Sequence, residues 1–411
     1  MAQQTRSRLV SFLIDGLDSV TKGGPVYHLW MGLLTFIMLA GAYAYSLQLE
    51  QGLAVTGMND IVSWGLYISN FTFLVGIAAA AVMIVLPTYV LQDYDFSKAV
   101  LIGEGTAVAA LVMCLSFVTV DMGGPARLWH LIPGIGVFNW PDSMLSWDVI
   151  VLNGYLVLNF AIPFYILFSH YCNRQPERKY YVPLVFLSVF WAVSIHLVTA
   201  FLYAGLVARP FWNSALLGPR FLASAFAGGP ALMIIALGVI RKFSDYPIQE
   251  QVLQKLALIT TVAAQINLVM LGSELFKEFY APTEHSASAL YLFFGLHGHN
   301  ALVPWIWTAI ALNIFATLML MIHPIRHNTL FLYPLCGILF IAIWIEKGMG
   351  LIVPGFLPSP LGEIVDYFPT WVEITITVGI WALGAFIFTI LVRIAIPIEL
   401  GKLRYPSTPK F

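Results

Sequence analysis

The chain has 411 residues, of which 59% are hydrophobic and only 10% charged, with a mean hydropathy of +0.83. A soluble domain carries about 25% charged residues, so a soluble protein is excluded. The formal net charge of −1 gives no sign of a nucleic-acid partner. Several apolar runs reach the ~20 residues needed to cross a bilayer as a helix. They are continuous and do not alternate in barrel-like pieces, so the fold class is an all-α polytopic membrane protein.

The first residues, MAQQTRSRLVSFLIDGLDSV, are amphipathic, hold two acids and lack a small-residue cleavage site. They read as retained chain and not as a signal peptide. Ten spans follow, at 28–49, 62–90, 99–121, 147–169, 182–207, 220–240, 254–280, 299–322, 329–353 and 370–396. The links are short, so the whole of 1–411 is expected to be one membrane domain. Of the 20 Lys and Arg residues, fifteen, from Arg6 to Lys410, fall in segments on one side. Arg127, Arg209, Arg220, Lys277 and Lys347 fall on the other. The positive-inside rule then places both termini in the cytoplasm. Trp64, Trp129, Trp140, Trp147, Trp212, Trp305, Trp307 and Trp371 gather near the outer span ends, as an interfacial aromatic belt would. Outer links at 281–298 and 354–369 and the 121–148 link are unusually apolar. They are expected either to carry a docked partner or to fold back against the bundle.

The link from Asp121 to Asp148, DMGGPARLWHLIPGIGVFNWPDSMLSWD, joins two spans and bears an acid at each end. Arg127 and His130 lie between them. An acid costs about 2.5–3.5 kcal/mol at mid-membrane and less towards the surface. Carboxylates at two helix ends therefore suggest charge or proton handling, although an interfacial acid or an N-cap also fits.

Helical spacing arranges further polar groups in stripes. Trp64, Tyr67 and Asn70 follow one another on span 2, Asp148, Tyr155 and Asn159 on span 4, and His196, Thr199 and Tyr203 on span 5. If spans 2–5 form one bundle, these stripes converge on a polar cavity at its outer end. A His beside two acids can exchange protons near neutral pH. A single Tyr, Asn or His equally fits an interhelical hydrogen bond. Glu104, within Gly103-Glu-Gly105, is a candidate access point for cytoplasmic protons or a structural pair. Glu274, Lys277 and Glu278 are expected to pair locally, whereas Glu346-Lys347 lies deeper and reads as a second relay or the remnant of a duplicated site.

Duplication is visible as a weak repeat. Ala79–Leu86 (AAAVMIVL) resembles Gly229–Ala236 (GPALMIIA) at an offset of 150, which also sets His196 on Glu346. Spans 2–5 (62–207) and 6–9 (220–353) thus read as two four-helix bundles in parallel orientation, flanked by spans 1 and 10. Cys114, Cys172 and Cys336 are too few and too scattered for an iron–sulfur cluster, and no CxxCH haem-attachment motif is present. His196 alone is well inside a span, which disfavours a bis-histidine haem, and no metal site is expected.

Six segments carry a family resemblance: SWGLYISNFTFLVG (63–76), DMGGPAR (121–127), SWD (146–148), WAVSIHLVTAFLYAG (191–205), PRFLASAF (219–226) and LVPWIW (302–307). They resemble the NrfD/PsrC family of quinone-interacting membrane subunits, in its ten-span branch of the DsrP, HmcC and QrcD types from sulfate- and sulfur-metabolising bacteria. The resemblance implies two four-helix bundles and no haem or iron–sulfur cluster in this chain. It implies menaquinone at the outer end of the first bundle, and a periplasmic ferredoxin-like iron–sulfur subunit docked there. A multihaem cytochrome c or further redox subunits would complete the complex. On that reading Asp121, Asp148 and His196 exchange protons with the quinone. Trp64, Tyr67, Asn70, Trp147, Tyr155 and Tyr203 shape the pocket, and Arg127 and His130 complement negative charge there or fix the link. Glu104, Glu274 and Glu346 would line proton paths, making turnover electrogenic if protons come from the cytoplasm. A transporter built from parallel repeats would instead place its polar site at the midplane between the bundles. A passive anchor would need neither a buried His196 nor a buried Glu104.

Overall fold

The computed structural model describes residues 7–89, 92–280, 283 and 286–406. Arg6 and Lys410, the outermost basic residues counted above, lie outside the described residues. Within them the chain is helical, with no strand and only two isolated bridges, Pro133–Gly136 and Leu296–His299. Ten of the described helices are long and apolar enough to cross a membrane. This is the expected economy of a chain in lipid, where a helix satisfies its own backbone polar groups.

A short amphipathic helix α1 (Arg8–Thr21) precedes α2 (Pro25–Gln51), which opens on Pro25 and ends at Gly52 with φ +73°. The second span is divided into α3 (Leu66–Ala79) and α4 (Val82–Tyr89). There follow α5 (Ser97–Asp121), α6 (Met144–Tyr171), α7 (Arg178–Ala204), α8 (Leu217–Phe243) and α9 (Glu250–Tyr280). A short α10 (Ala287–Phe294) leads to α11 (Val303–Met321), α12 (His323–His327), α13 (Thr329–Lys347), α14 (Met349–Ile352) and the long α15 (Trp371–Glu399). α15 starts with a capping box: the Thr370 hydroxyl accepts from the Glu373 backbone, and the Glu373 carboxylate accepts from the Thr370 backbone.

Helices α3, α5, α6 and α7 pack on one another, as do α8, α9, α11 and α13. The two groups meet along α3 and α8, and α15 lies against α2 and α5. Small residues allow both meetings. A Cβ on Gly229 of α8 would sit 2.1 Å from Ala80 Cβ, so only glycine fits that crossing. A Cβ on Gly379 of α15 would lie 2.8 Å from Gly41 Cα of α2. The crossing at Ala80 and Gly229 brings the two halves of the sequence repeat, Ala79–Leu86 and Gly229–Ala236, into direct contact.

Three sequence expectations change here. Trp212, assigned to the interfacial belt, is fully buried; its Nε1 donates to the Leu351 carbonyl at 2.8 Å and its ring stacks on Trp64 at 5.9 Å. Lys347, counted as a charge of one side, is buried beside the Phe221 carbonyl, and Arg220, counted with it, is only 15% exposed and is held by two carboxylates. The apolar links also divide. Residues of α10 and of Val353–Leu357 are buried against the helices. The 121–148 link keeps Trp129, Ile132, Ile135, Val137 and Trp140 exposed.

Candidate functional site

The buried polar groups of the first helix group centre on α7. His196, Thr199 and Tyr203 sit three and four residues apart, share one face, and are all fully buried. His196 Nδ1 lies 2.9 Å from the Ala192 carbonyl. A carbonyl only accepts, so Nδ1 carries the proton and Nε2 presents its lone pair. Nε2 is buried without a partner. One turn on, the Thr199 hydroxyl donates to Asp148 Oδ1 at 2.8 Å. Asp148 lies in the first turns of α6 and is almost fully buried. A further turn on, the Tyr203 hydroxyl pairs with Thr72 of α3. Trp64 and Trp212 cover the Tyr203 ring, with centroids 5.9 Å and 5.5 Å away. One helix face thereby presents a histidine, holds a carboxylate of α6 and bonds α3 through a phenol.

Asp121 closes α5, and its Oδ1 is buried without a partner. Beside it, the Tyr67 hydroxyl donates to Gln48 Oε1 of α2 at 2.7 Å, and Gln48 Nε2 donates to the Val120 carbonyl at 2.6 Å. Tyr155 of α6 is buried, and its carbonyl accepts from Asn159 at 2.9 Å. Trp64 precedes α3 and does not continue its stripe. Asn70 faces away from the α7 groups. Its Oδ1 accepts from Trp344 Nε1 at 3.0 Å and Trp381 Nε1 at 2.9 Å, which commits it to joining α13 and α15 to α3. Arg127 and His130 are exposed in the link, with His130 stacked on Trp129 at 3.8 Å, and are not drawn into the α7 cluster. Trp147 is half-buried and donates to the Pro141 carbonyl at 2.8 Å.

Glu104 lies in α5 among apolar neighbours. Its Oε2 is buried and unpartnered, Gly103 faces Ile84 and Met233, and Gly105 faces Leu391. A second polar centre occupies the other group. Arg220 of α8 holds Glu274 of α9 with Nη1 and Glu346 of α13 with Nη2, the latter at 2.7 Å. The expected local pairing of Glu274 with Lys277 is corrected: Lys277 pairs with Glu278 at 3.1 Å, and Glu274 turns inward to the stronger fork of Arg220. Asn313 Nδ2 donates to Glu346 Oε2 at 3.0 Å. Lys347 is buried between the groups, with Nζ 3.3 Å from the Phe221 carbonyl and 4.2 Å from its ring centroid.

Several of these residues carry little signal in the sequence. Arg220 stands in the PRF run at a span boundary, where a basic residue is ordinary. Gln48, Thr72, Asn267 and Asn313 are single polar residues with no spacing signal. Glu373, not singled out from the sequence, is the fourth residue of a T-x-x-E capping box. It is fully buried and accepts from Gly57 N at 2.7 Å and from Tyr367. Burial, with the neighbouring Glu373, pushes the Tyr367 phenol up from its ordinary range. That phenol accepts from Leu66 N at 2.9 Å and so fixes the start of α3. Among the described residues, no three His, Cys, Asp or Glu side chains gather as a metal site would require.

The fold and these centres define a polytopic helical membrane protein with buried, protonatable side chains. Residues 54–357 match the family model described as polysulphide reductase, NrfD, and the chain belongs to this family. It is 24% identical over 408 residues to a selenate reductase subunit of Mesobacillus selenatarsenatis, covering 89% of this chain and 93% of the relative. It is also 24% identical over 377 residues to the Hdr-like menaquinol oxidoreductase integral membrane subunit of Archaeoglobus fulgidus, covering 88% and 91%.

Proposed function

We propose that this protein is the quinone-reactive membrane subunit of a multi-subunit oxidoreductase. It would pass electrons between menaquinone and a partner redox subunit, and would not act alone. The observation that carries the proposal is His196 Nε2, a buried proton acceptor without a partner, on the same helix face as the residue holding Asp148. The free Asp121 Oδ1 adds a second unsatisfied group. Unsatisfied buried atoms are costly, and a ligand with hydroxyl donors, as a quinol has, would satisfy acceptors of this kind. Family membership supports the same reading, as does the menaquinol chemistry in the name of the Archaeoglobus relative.

When bound, quinone supplies electron transfer coupled to proton transfer at its ring oxygens. The chain's part is to hold and move the protons. His196 accepts or releases one at Nε2 while Nδ1 stays on the Ala192 carbonyl, which fixes the ring. Asp148 exchanges the other while Thr199 holds it in place. Tyr67, Tyr155 and Tyr203, all buried, would form the walls, with Trp64 against the Tyr203 ring. Glu104 would bring protons from the cytoplasmic side, the side to which the positive-inside rule would assign the termini and most basic residues. The partner, a periplasmic ferredoxin-like iron–sulfur subunit, would cover the exposed apolar residues of the 121–148 link.

The test is quinone turnover by the purified complex, comparing wild type with Asp148→Asn and His196→Ala. The expected result is a fall of about a hundredfold with the partner still bound and redox-active. Unchanged turnover in both variants would favour a passive anchor instead.

A further inference from the structure

The second helix group contains a cavity of about 50 Å³, lined by Arg220, Glu274, Asn267, Glu346 and Lys347 among apolar side chains. A small-molecule site takes about 300–1,000 Å³, whereas one water occupies about 30 Å³ of liquid. The cavity therefore has room for water. Asn267 makes the same point independently. It is fully buried, its Nδ2 reaches Glu346 Oε1 at 3.4 Å, and its Oδ1 has no partner. An orphaned acceptor beside a polar cavity of this size calls for a water donor.

We infer that Glu274, Arg220, Glu346 and Asn267 form a water-mediated proton-exchange site in the second group, distinct from the α7 site. Side-chain exposure falls from 18% at Glu274 to 3% at Glu346, so Glu274 is the mouth and Glu346 the deep end. The facing charged groups are Arg220 on α8, Glu274 and Glu278 on α9, and Lys347 next to Glu346 on α13; α11 contributes the neutral Asn313. Arg220 touches each carboxylate with a separate nitrogen, so one can be neutralised while the other stays held. A hydronium ion in the cavity breaks one of its O–H bonds and forms one on Glu274, leaving water and loosening the Glu274 hold on Arg220. Passage through water breaks that O–H bond and forms one on Glu346, restoring the Glu274 pair, and the same bonds reverse when the proton returns to the mouth. Charge is conserved at each step. The repeat gives the site a rationale: the offset of 150 sets Glu346 on His196, so each half of the chain places a protonatable group at that helix position.

The inference rests on the proposed quinone chemistry only for the turnover that drives it. The experiment uses the intact complex in sealed vesicles, reading quinone turnover by absorbance and protons by a trapped pH indicator. Glu346→Gln is expected to leave turnover within about twofold and to lower protons moved per electron by about half or more. Asn267→Leu, which keeps every charge, is expected to lower the same ratio. An unchanged ratio in both variants overturns the inference, as does a wild-type ratio of zero, and neither result touches quinone turnover. If the variants do not assemble or the wild type shows no turnover, wild-type complex is treated with dicyclohexylcarbodiimide, which attaches to protonated carboxyl groups in apolar surroundings. An adduct on Glu346 or Glu274, found by peptide mass spectrometry, supports the site; labelling of neither overturns it.

Discussion

At the scale of the residue, function turns on which polar atoms are satisfied and by what. Asp148 depends on Thr199, and the two differ from a generic buried pair because the donor comes from the helix that carries His196. Thr199→Ser should keep turnover, while Thr199→Val should lower it about tenfold, since a buried group that loses its donor loses about 1–3 kcal/mol. Equal rates in the two variants would show that the bond does not position Asp148. Asn70 makes the opposite forecast. Asn70→Leu leaves the Trp344 and Trp381 indole N–H groups without their acceptor. Stability should fall by about 2–6 kcal/mol, read as a shift in thermal unfolding of the complex. Asn70→Asp, which keeps an acceptor, should recover most of it. Spacing along one helix shows which residues share a face, but not which neighbour that face meets. For that reason the shared face of His196, Thr199 and Tyr203 was legible in the sequence and the direction of Asn70 was not. The partner of Glu274 was hidden for a related reason, because Arg220 lies 54 positions away on another helix.

At the scale of the element, the spans were legible because each helix must be long and apolar to cross a bilayer. The division between α3 and α4 at Ala80–Ala81 was not, since neither residue is a helix breaker. What the sequence did carry was the repeat, and the structure gives it a physical meaning at the α3–α8 crossing. Gly229→Val should separate the two helix groups there, because even a Cβ would overlap Ala80. The expected outcome is a loss of stability of about 1–3 kcal/mol or more together with lost turnover. Gly379→Val should loosen only α2 from α15, and turnover should persist. A tolerated Gly229→Val, by thermal unfolding, would contradict the close crossing.

At the scale of the whole molecule, most exposed apolar surface lies along the helices that would face lipid. The 121–148 link is different, since Trp129, Ile135, Val137 and Trp140 are exposed beyond the helix ends. Their exposure fits a partner protein better than a solvated loop. Replacing Trp129 and Trp140 together by Ala should release the partner during purification and leave helix content by circular dichroism unchanged. Retention of the partner would move the docking face elsewhere. The apolar segments 290–296 and 353–358 looked equivalent to this link in the sequence, since composition does not distinguish a segment buried by its own chain from one awaiting another.

Everything proposed for the chemistry depends on quinone meeting the protein at the α7 face of the first helix group. Photolabelling of the intact complex with a photoreactive menaquinone analogue, followed by mapping of the labelled peptides, tests this without relying on variants. Adducts are expected on the Met144–Tyr155 and His196–Tyr203 segments, suppressed by excess menaquinone. Competable labelling confined to α8, α9 or α13 would contradict the α7 site.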